Sequence, residues 1–191
     1  MKVIAINGSA RKDGNTAILI NHVFAELNKE GIKTEMIQLA GSMIRGCTVC
    51  DLCIKRKDGK CAMVNDPVNL CIEKMADADG IIFGSPTYFS DVTPELKAVI
   101  DRSGRVGRAN GMLYKYKVGA AVVAVRRGGA IHAFDTINHF LHLSQMILPG
   151  AQYWNVGIGR EIGDVDNDEE GVATMKSIGQ NMAWLMKKIH G

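Results

Sequence analysis

No stretch of this chain stays apolar for the roughly 18 residues that a membrane-crossing helix needs, so a transmembrane anchor is not expected. The opening segment, Met1 to Ile6, is too short for a secretory signal and turns straight into Asn7 and Gly8. A strong charge imbalance is lacking too. The net charge of +3 and the lack of a basic stripe interleaved with aromatics argue against a nucleic-acid partner. These absences point to the cytoplasm, where thiols stay reduced. The five cysteines then point to metal, redox chemistry or packing before disulfides.

What is present is an ordinary globular composition, 47% hydrophobic and 23% charged over 191 residues. The length fits one domain, 1–191, with a sizeable core. Val3 to Ile6 reads as a short buried strand ending at a glycine-rich turn. Asn15 opens a helix with Ile20, Val23, Phe24 and Leu27 on one face, and Gly31 ends it. Thr34 to Leu39 is a second strand, and a long cysteine-rich insertion follows at about 42–65. Asp66-Pro67 starts a helix whose stripe is Val68, Cys71, Ile72 and Met75. Gly80 to Phe83 is the third strand, and Thr93-Pro94-Glu95 starts a helix running to about Arg102. Val118 to Val125 is the fourth strand, and a helix from about Ala130 to Met146 is apolar nearly all round. Ala151 to Val156 is the fifth strand. The last helix carries Met175, Ile178, Met182, Leu185 and Ile189. Strands alternating with helices, with no internal repeat, predict an α/β fold with a doubly wound five-stranded parallel sheet and helices on both faces. Ligands bind such sheets at the carboxyl ends of the strands.

Three loops lie there. In the first, Asn7 to Thr16, small residues let backbone N–H groups approach a phosphate, and the following helix adds its positive end. Ser9, Asn15 and Thr16 offer side-chain donors and Arg11 offers charge. A polar turn with a helix cap is the plainer reading. The nucleoside-triphosphate pattern fails, because Gly8 to Gly14 is one residue too long and Asn15 stands where its lysine belongs. In the second loop, Ser85 to Phe89, Thr87 and backbone amides are placed to bond a flat heterocycle, with Tyr88 and Phe89 covering it. Alone, this is equally a tight turn with core aromatics. The third loop is Arg126-Arg127-Gly128-Gly129.

Gly8-Ser9, Arg11 and Gly14-Asn15-Thr16, followed by Gly84 to Phe89, resemble the NADPH-dependent FMN reductase family of flavodoxin-like proteins. The resemblance extends over nearly the whole chain, and the cysteine segment is similar to the family's iron–sulfur flavoprotein branch. It implies a flavodoxin-like fold, bound FMN, and a homodimer or homotetramer. It also implies that Ser9, Arg11, Asn15, Thr16 and Ala17 hold the ribityl phosphate and that Pro86, Thr87, Tyr88 and Phe89 border the isoalloxazine. Arg126, Arg127, Gly128 and Gly129 are nominated beside the ring. Backbone N–H groups of the Thr87 and Gly128 loops are expected to stabilise the reduced ring. No side chain need act as nucleophile or base, because hydride transfer is the cofactor's own chemistry.

Cys47, Cys50, Cys53 and Cys61 form C-x2-C-x2-C-x7-C, ligand spacing for a 4Fe–4S cluster. Arg45, Lys55, Arg56, Lys57 and Lys60 surround them and favour thiolates. Structural zinc usually draws on two separated pairs. Ala62 stands where a proline often follows the last cysteine of bacterial ferredoxin motifs. Free or regulatory thiols and zinc therefore stay open. Cys71, on an apolar helical stripe, reads as core.

Other features are weaker. Asp164 to Asp168 begins like a calcium loop, but Glu169 and Met175 break the pattern. Gly157-Ile-Gly159 is followed by Ile162 where a third dinucleotide glycine belongs. His139 and His142, in apolar surroundings, read as packing or interface. Ile131, Phe134, Ile137, Phe140, Leu141 and Leu143 cover more than one helix face, which predicts burial against another subunit. Three functions follow. One is an NAD(P)H-dependent flavin or quinone-type reductase, with Arg126 or Arg127 steering the nicotinamide cofactor. Another is an electron carrier fed by ferredoxin through the cluster, docking on the basic residues. The last, a thiol sensor or zinc-held interaction module, leaves the two flavin loops unexplained.

Overall fold

The computed structural model describes residues 1–190. Five strands form one parallel sheet: β1 (Lys2–Asn7), β2 (Lys33–Gln38), β3 (Gly80–Pro86), β4 (Val118–Val125) and β5 (Val156–Ile158). Their order, β2-β1-β3-β4-β5, is the flavodoxin-like one, as expected. Parallel neighbours need crossovers, supplied here by α1 (Asn15–Lys29), α3 (Val68–Asp77), α4 (Pro94–Ala109) and α5 (Ala130–Leu143). A short α2 (Leu52–Arg56) lies within the cysteine segment, and α6 (Glu169–His190) closes the chain.

The sheet is buried on both faces, so β1, β3 and β4 are almost continuously apolar rather than alternating. One face carries α1 and α6, packed through Leu19, Val23, Leu27, Met175, Ile178 and Met182. The other carries α3, α4 and α5, packed through Val68, Met75, Leu96, Val99, Ile137 and Leu141. Each fully buried aliphatic side chain contributes about 1.5–3 kcal/mol. Gly84 sets how closely α1 approaches β3. A Cβ there would lie 2.6 Å from Ile20 Cδ1 and 2.9 Å from Thr16 Cγ2. No helix among the described residues is long and apolar enough to cross a membrane.

Three boundaries differ from the sequence reading. The fifth strand is Val156–Ile158, not Ala151 to Val156. Ile147 bridges Val118, the chain then swings outward through Pro149 and Gly150, and Val156 returns beside Val123. Tyr153 and Trp154 are about half exposed and pack on each other, edge to face. Helix α4 runs on to Ala109, past Arg102, because Val106 and Gly107 still bury against the core. Helix α5 stops at Leu143 rather than Met146, where Gln145 takes a positive φ of 57°. Within the single chain His139 and His142 are exposed, as are Ile131 and Leu143, so none of the four packs into this chain's own core.

The cysteine segment has little regular structure, and one buried side chain ties it down. Arg102 of α4 is 1% exposed. It pairs with Asp66 and donates to the carbonyls of Arg45 (3.1 Å) and Met63 (3.0 Å) and to Cys61 Sγ (3.3 Å). Asp66 also accepts from the N–H of Val68, the first residue of α3, so Pro67 sits at the cap rather than at the first helical position. Losing one partner of a buried ion pair strands the other charge. Asp66→Ala is therefore expected to cost about 3–5 kcal/mol in urea unfolding. A loss below ~1 kcal/mol, the range of exposed ion pairs, would show that the pair does not anchor the segment.

Candidate functional site

Loops after β1, β3, β4 and β5 enclose a cleft of about 200 Å³ at the carboxyl edge of the sheet. Ser9, Arg11, Asn15 and Thr16 wall one side, and Pro86, Thr87, Tyr88 and Arg126 the other. The first loop is shaped from within. Ser9 N–H donates to Asn7 Oδ1 and Arg11 N–H to Ser9 Oγ, curling the backbone before α1. Helix α1 begins after Gly14 with no side-chain cap. Its first-turn N–H groups therefore face the cleft without the partner that Ser, Thr or Asp usually supplies.

Thr16 sharpens the point. It is 1% exposed, and its hydroxyl has no hydrogen-bond partner although it lines the cleft. A buried unpaired hydroxyl costs about 1–3 kcal/mol, so its position makes sense with an acceptor in the cleft. The uncapped helix end, the Thr16 hydroxyl and Arg11 together have the chemistry of a candidate anion site. These residues fit the phosphate of FMN.

Several expected residues take other parts. The Asn15 side chain is committed to the loop after β5, donating to Glu161 O at 2.8 Å and accepting from Gly163 N–H at 2.9 Å. Thr87 does not leave its donors free, because its N–H and its hydroxyl both bond Ala124 O, fastening the β3 loop to β4. Any N–H contact from this loop to a ring therefore falls to residues other than Thr87. Tyr88 borders the cleft, but Phe89 sits fully exposed at the loop tip with φ 46° and covers nothing in its own chain. Ala17 is buried behind Thr16, and Arg127 and Gly128 lie exposed outside the cleft wall. Gly129, φ 86°, meets the β3 loop instead: a Cβ there would lie 2.6 Å from Ser90 Oγ.

The sequence reading missed Ala124, Val125, Gly159 and Arg160, all of which line the cleft. Arg160 brings a further cation to the first loop. Its backbone N–H and that of Glu161 both donate to Asp164 Oδ2, which explains the acidic loop as a local fastening. The signal was a glycine and an arginine immediately after the last strand.

A second, smaller cavity of about 20 Å³ is bounded by Cys47, Cys50, Cys53 and Cys61 together with Arg102 and Arg105. Val49 (φ 53°) and Asp51 (φ 58°) take left-handed backbone, unusual for a β-branched residue, and turn the chain between successive cysteines. Cys53 is buried on α2, and burial pushes its thiol up, against the pull of Arg105. For Arg102, burial alone would lower the guanidinium, but bonds to Asp66 and Cys61 hold it above its usual value. Among the described residues no three His, Cys, Asp or Glu side chains converge closely enough for one metal ion. Cys71 is core, its thiol pushed up to about 12 by burial.

Comparison with known proteins fits this geometry. The family model for NADPH-dependent FMN reductase matches residues 1–161. An iron-sulfur flavoprotein of Methanocaldococcus jannaschii is 38% identical over 196 residues, 99% of this chain and 99% of its own length. Another, from Archaeoglobus fulgidus, is 39% identical over 151 residues, covering 78% of this chain and 72% of its own. Among solved structures, RosB with bound 8-demethyl-8-formylriboflavin-5'-phosphate superposes with a TM-score of 0.78 at 20% identity. That match covers 99% of this chain and 80% of RosB, and it speaks for the fold. The chain belongs to the NADPH-dependent FMN reductase family and is an FMN-binding oxidoreductase.

Proposed function

We propose that the cleft at the sheet edge holds FMN, phosphate toward α1, and that the protein passes electrons from NAD(P)H to a flavin, quinone or similar acceptor. The observation that carries the placement is the buried, partnerless Thr16 hydroxyl at an uncapped helix end. FMN, when bound, supplies both the hydride acceptance and the one- or two-electron storage. The chain's part is to bind and orient it. Arg11, Thr16 and the first turn of α1 neutralise the phosphate, while Pro86 and Tyr88 form the wall that a flat ring would lie against. Arg126 and Arg160 add positive charge at the mouth, which suits an anionic nicotinamide cofactor.

A second reading has its own support. Four thiols border one cavity, and four thiolates are the donor set that a four-iron cluster takes. The two archaeal relatives are named as iron-sulfur flavoproteins. Cys47, Cys50, Cys53 and Cys61 would hold the cluster, which would supply one-electron transfer. In that case ferredoxin serves as donor, docking on the basic segment around Arg45 and Lys55 to Lys60.

Thr16→Val keeps the shape and deletes the donor. One hydrogen bond to a charged group is worth about 1.5–3 kcal/mol, so FMN affinity in a fluorescence titration is expected to fall roughly 10- to 100-fold. Unchanged affinity would move the phosphate elsewhere. FMN-loaded protein is expected to oxidise NADPH or NADH in steady state when a quinone is supplied; no turnover with either sinks the reductase reading. Protein purified without oxygen is expected to carry about four irons per chain. Cys53→Ala is expected to abolish reduction by ferredoxin while FMN stays bound, and undiminished reduction would exclude the cluster as the route.

A further inference from the structure

Helix α4 does more at the cysteine cavity than hold the loop in place. Arg102 and Arg105 are three residues apart, on one helical face, and both line the cavity with the four cysteines. Anchoring accounts for most of the Arg102 donors, which go to Asp66, Arg45 O and Met63 O. It does not account for Nε–H, which donates to Cys61 Sγ at 3.3 Å. Arg105 pairs with Asp51, between Cys50 and Cys53. Its Nε is shut off from solvent and has no partner at all. A desolvated, unpaired guanidinium N–H is costly, and the cavity that Arg105 lines is bordered by four cysteines.

Resting on the reading that the cavity holds an iron–sulfur cluster, we infer that Arg102 and Arg105 are positioning residues that set its reduction potential. Arg102 does so by its bond to the Cys61 sulfur, and Arg105 by presenting its free Nε–H to a second sulfur of the bound group. A cluster ligated by four thiolates is an anion and gains one more negative charge on reduction. Hydrogen bonds to its sulfurs and nearby positive charge therefore favour the reduced form and raise the potential. Asp66 and Asp51 offset the net charge of the two arginines but leave the directed N–H groups in place. That division of labour also explains why α4 carries arginine rather than lysine at these positions. Only a guanidinium can occupy a carboxylate and carbonyls with its fork and still offer Nε–H to a third partner.

The test uses the full chain, purified without oxygen, as wild type, Arg105→Met and Arg102→Lys. Arg105 is one-third exposed, so its replacement by methionine is expected to leave the fold and the iron content intact. Its cluster midpoint, followed by EPR-monitored titration, is expected to fall by about 59 mV or more. That is a tenfold loss in the one-electron equilibrium constant. Arg102→Lys keeps the charge and loses the Nε–H, and a smaller fall in the same direction is expected. The FMN potentials, read from the visible spectrum, are expected to stay at wild-type values in both. Wild-type cluster potentials in both variants would overturn the inference, as would an equal fall in the FMN potentials. Loss of iron from a folded Arg105→Met would overturn the tuning role in favour of a purely structural one. Wild-type protein that binds no iron would instead defeat the underlying reading of the cavity, and the inference with it.

Discussion

Helix α4 is held at two points, and both candidate sites hang on those attachments. At its start, the buried Thr93 hydroxyl accepts from Leu96 N–H, capping the helix, and donates to Gly8 O at 2.8 Å. Thr93 N–H in turn donates to Ser85 Oγ. One residue thus joins the loop after β1, the end of β3 and the helix between β3 and β4. Two turns further on, Arg102 reaches the cysteine segment and secures it by four hydrogen-bonded partners. The same rigid rod therefore fixes the cleft at one end and the cysteine cavity along its length. Their relative placement is a property of one helix rather than of two independent loops.

The sheet order makes this economical. Winding outward from β1 to β2 and then back across to β3 reverses direction once, and the loops after β1 and β3 part at that reversal. The crevice they leave receives the uncapped end of α1. The strands feeding it are buried on both faces, so the positions of Ser9, Thr16 and Thr87 inherit the precision of the core. Loose loops would need an ordering penalty to achieve the same arrangement.

Much of this was legible from residue patterns because it is local. Periodicity located α1, α3 and the apolar strands. The glycine-rich run before Asn15 marked a candidate anion site because small residues and a helix start are both short-range signals. The spacing of Cys47, Cys50 and Cys53 marked a candidate ligand set for the same reason. What pattern reading missed depends on distant partners. The fifth strand is only Val156–Ile158 because Ile147 claims the start of β4 and Asn155 donates its side chain to Ala121 O. Asn15 is occupied by Glu161 and Gly163, about 146 residues away, so its amide fastens a loop instead of waiting for a ligand. Phe89 reads as a ring cover by type, but its left-handed backbone turns it out to solvent.

The division between the two kinds of information has a physical basis. The sequence alone determined the fold class, the glycine-rich loop ahead of α1 and the grouping of the four clustered cysteines. Each rests on spacings within a few residues, where backbone geometry leaves little choice. Only the tertiary structure decided which donors remain free. Thr16, Thr87 and Asn15 are similar candidates in the sequence, and Arg105 is not marked there at all. Packing satisfies Thr87 and Asn15 and strands Thr16 and Arg105 Nε. A hydrogen bond is a pairing between two positions, and the partner's position is known only after the chain has folded.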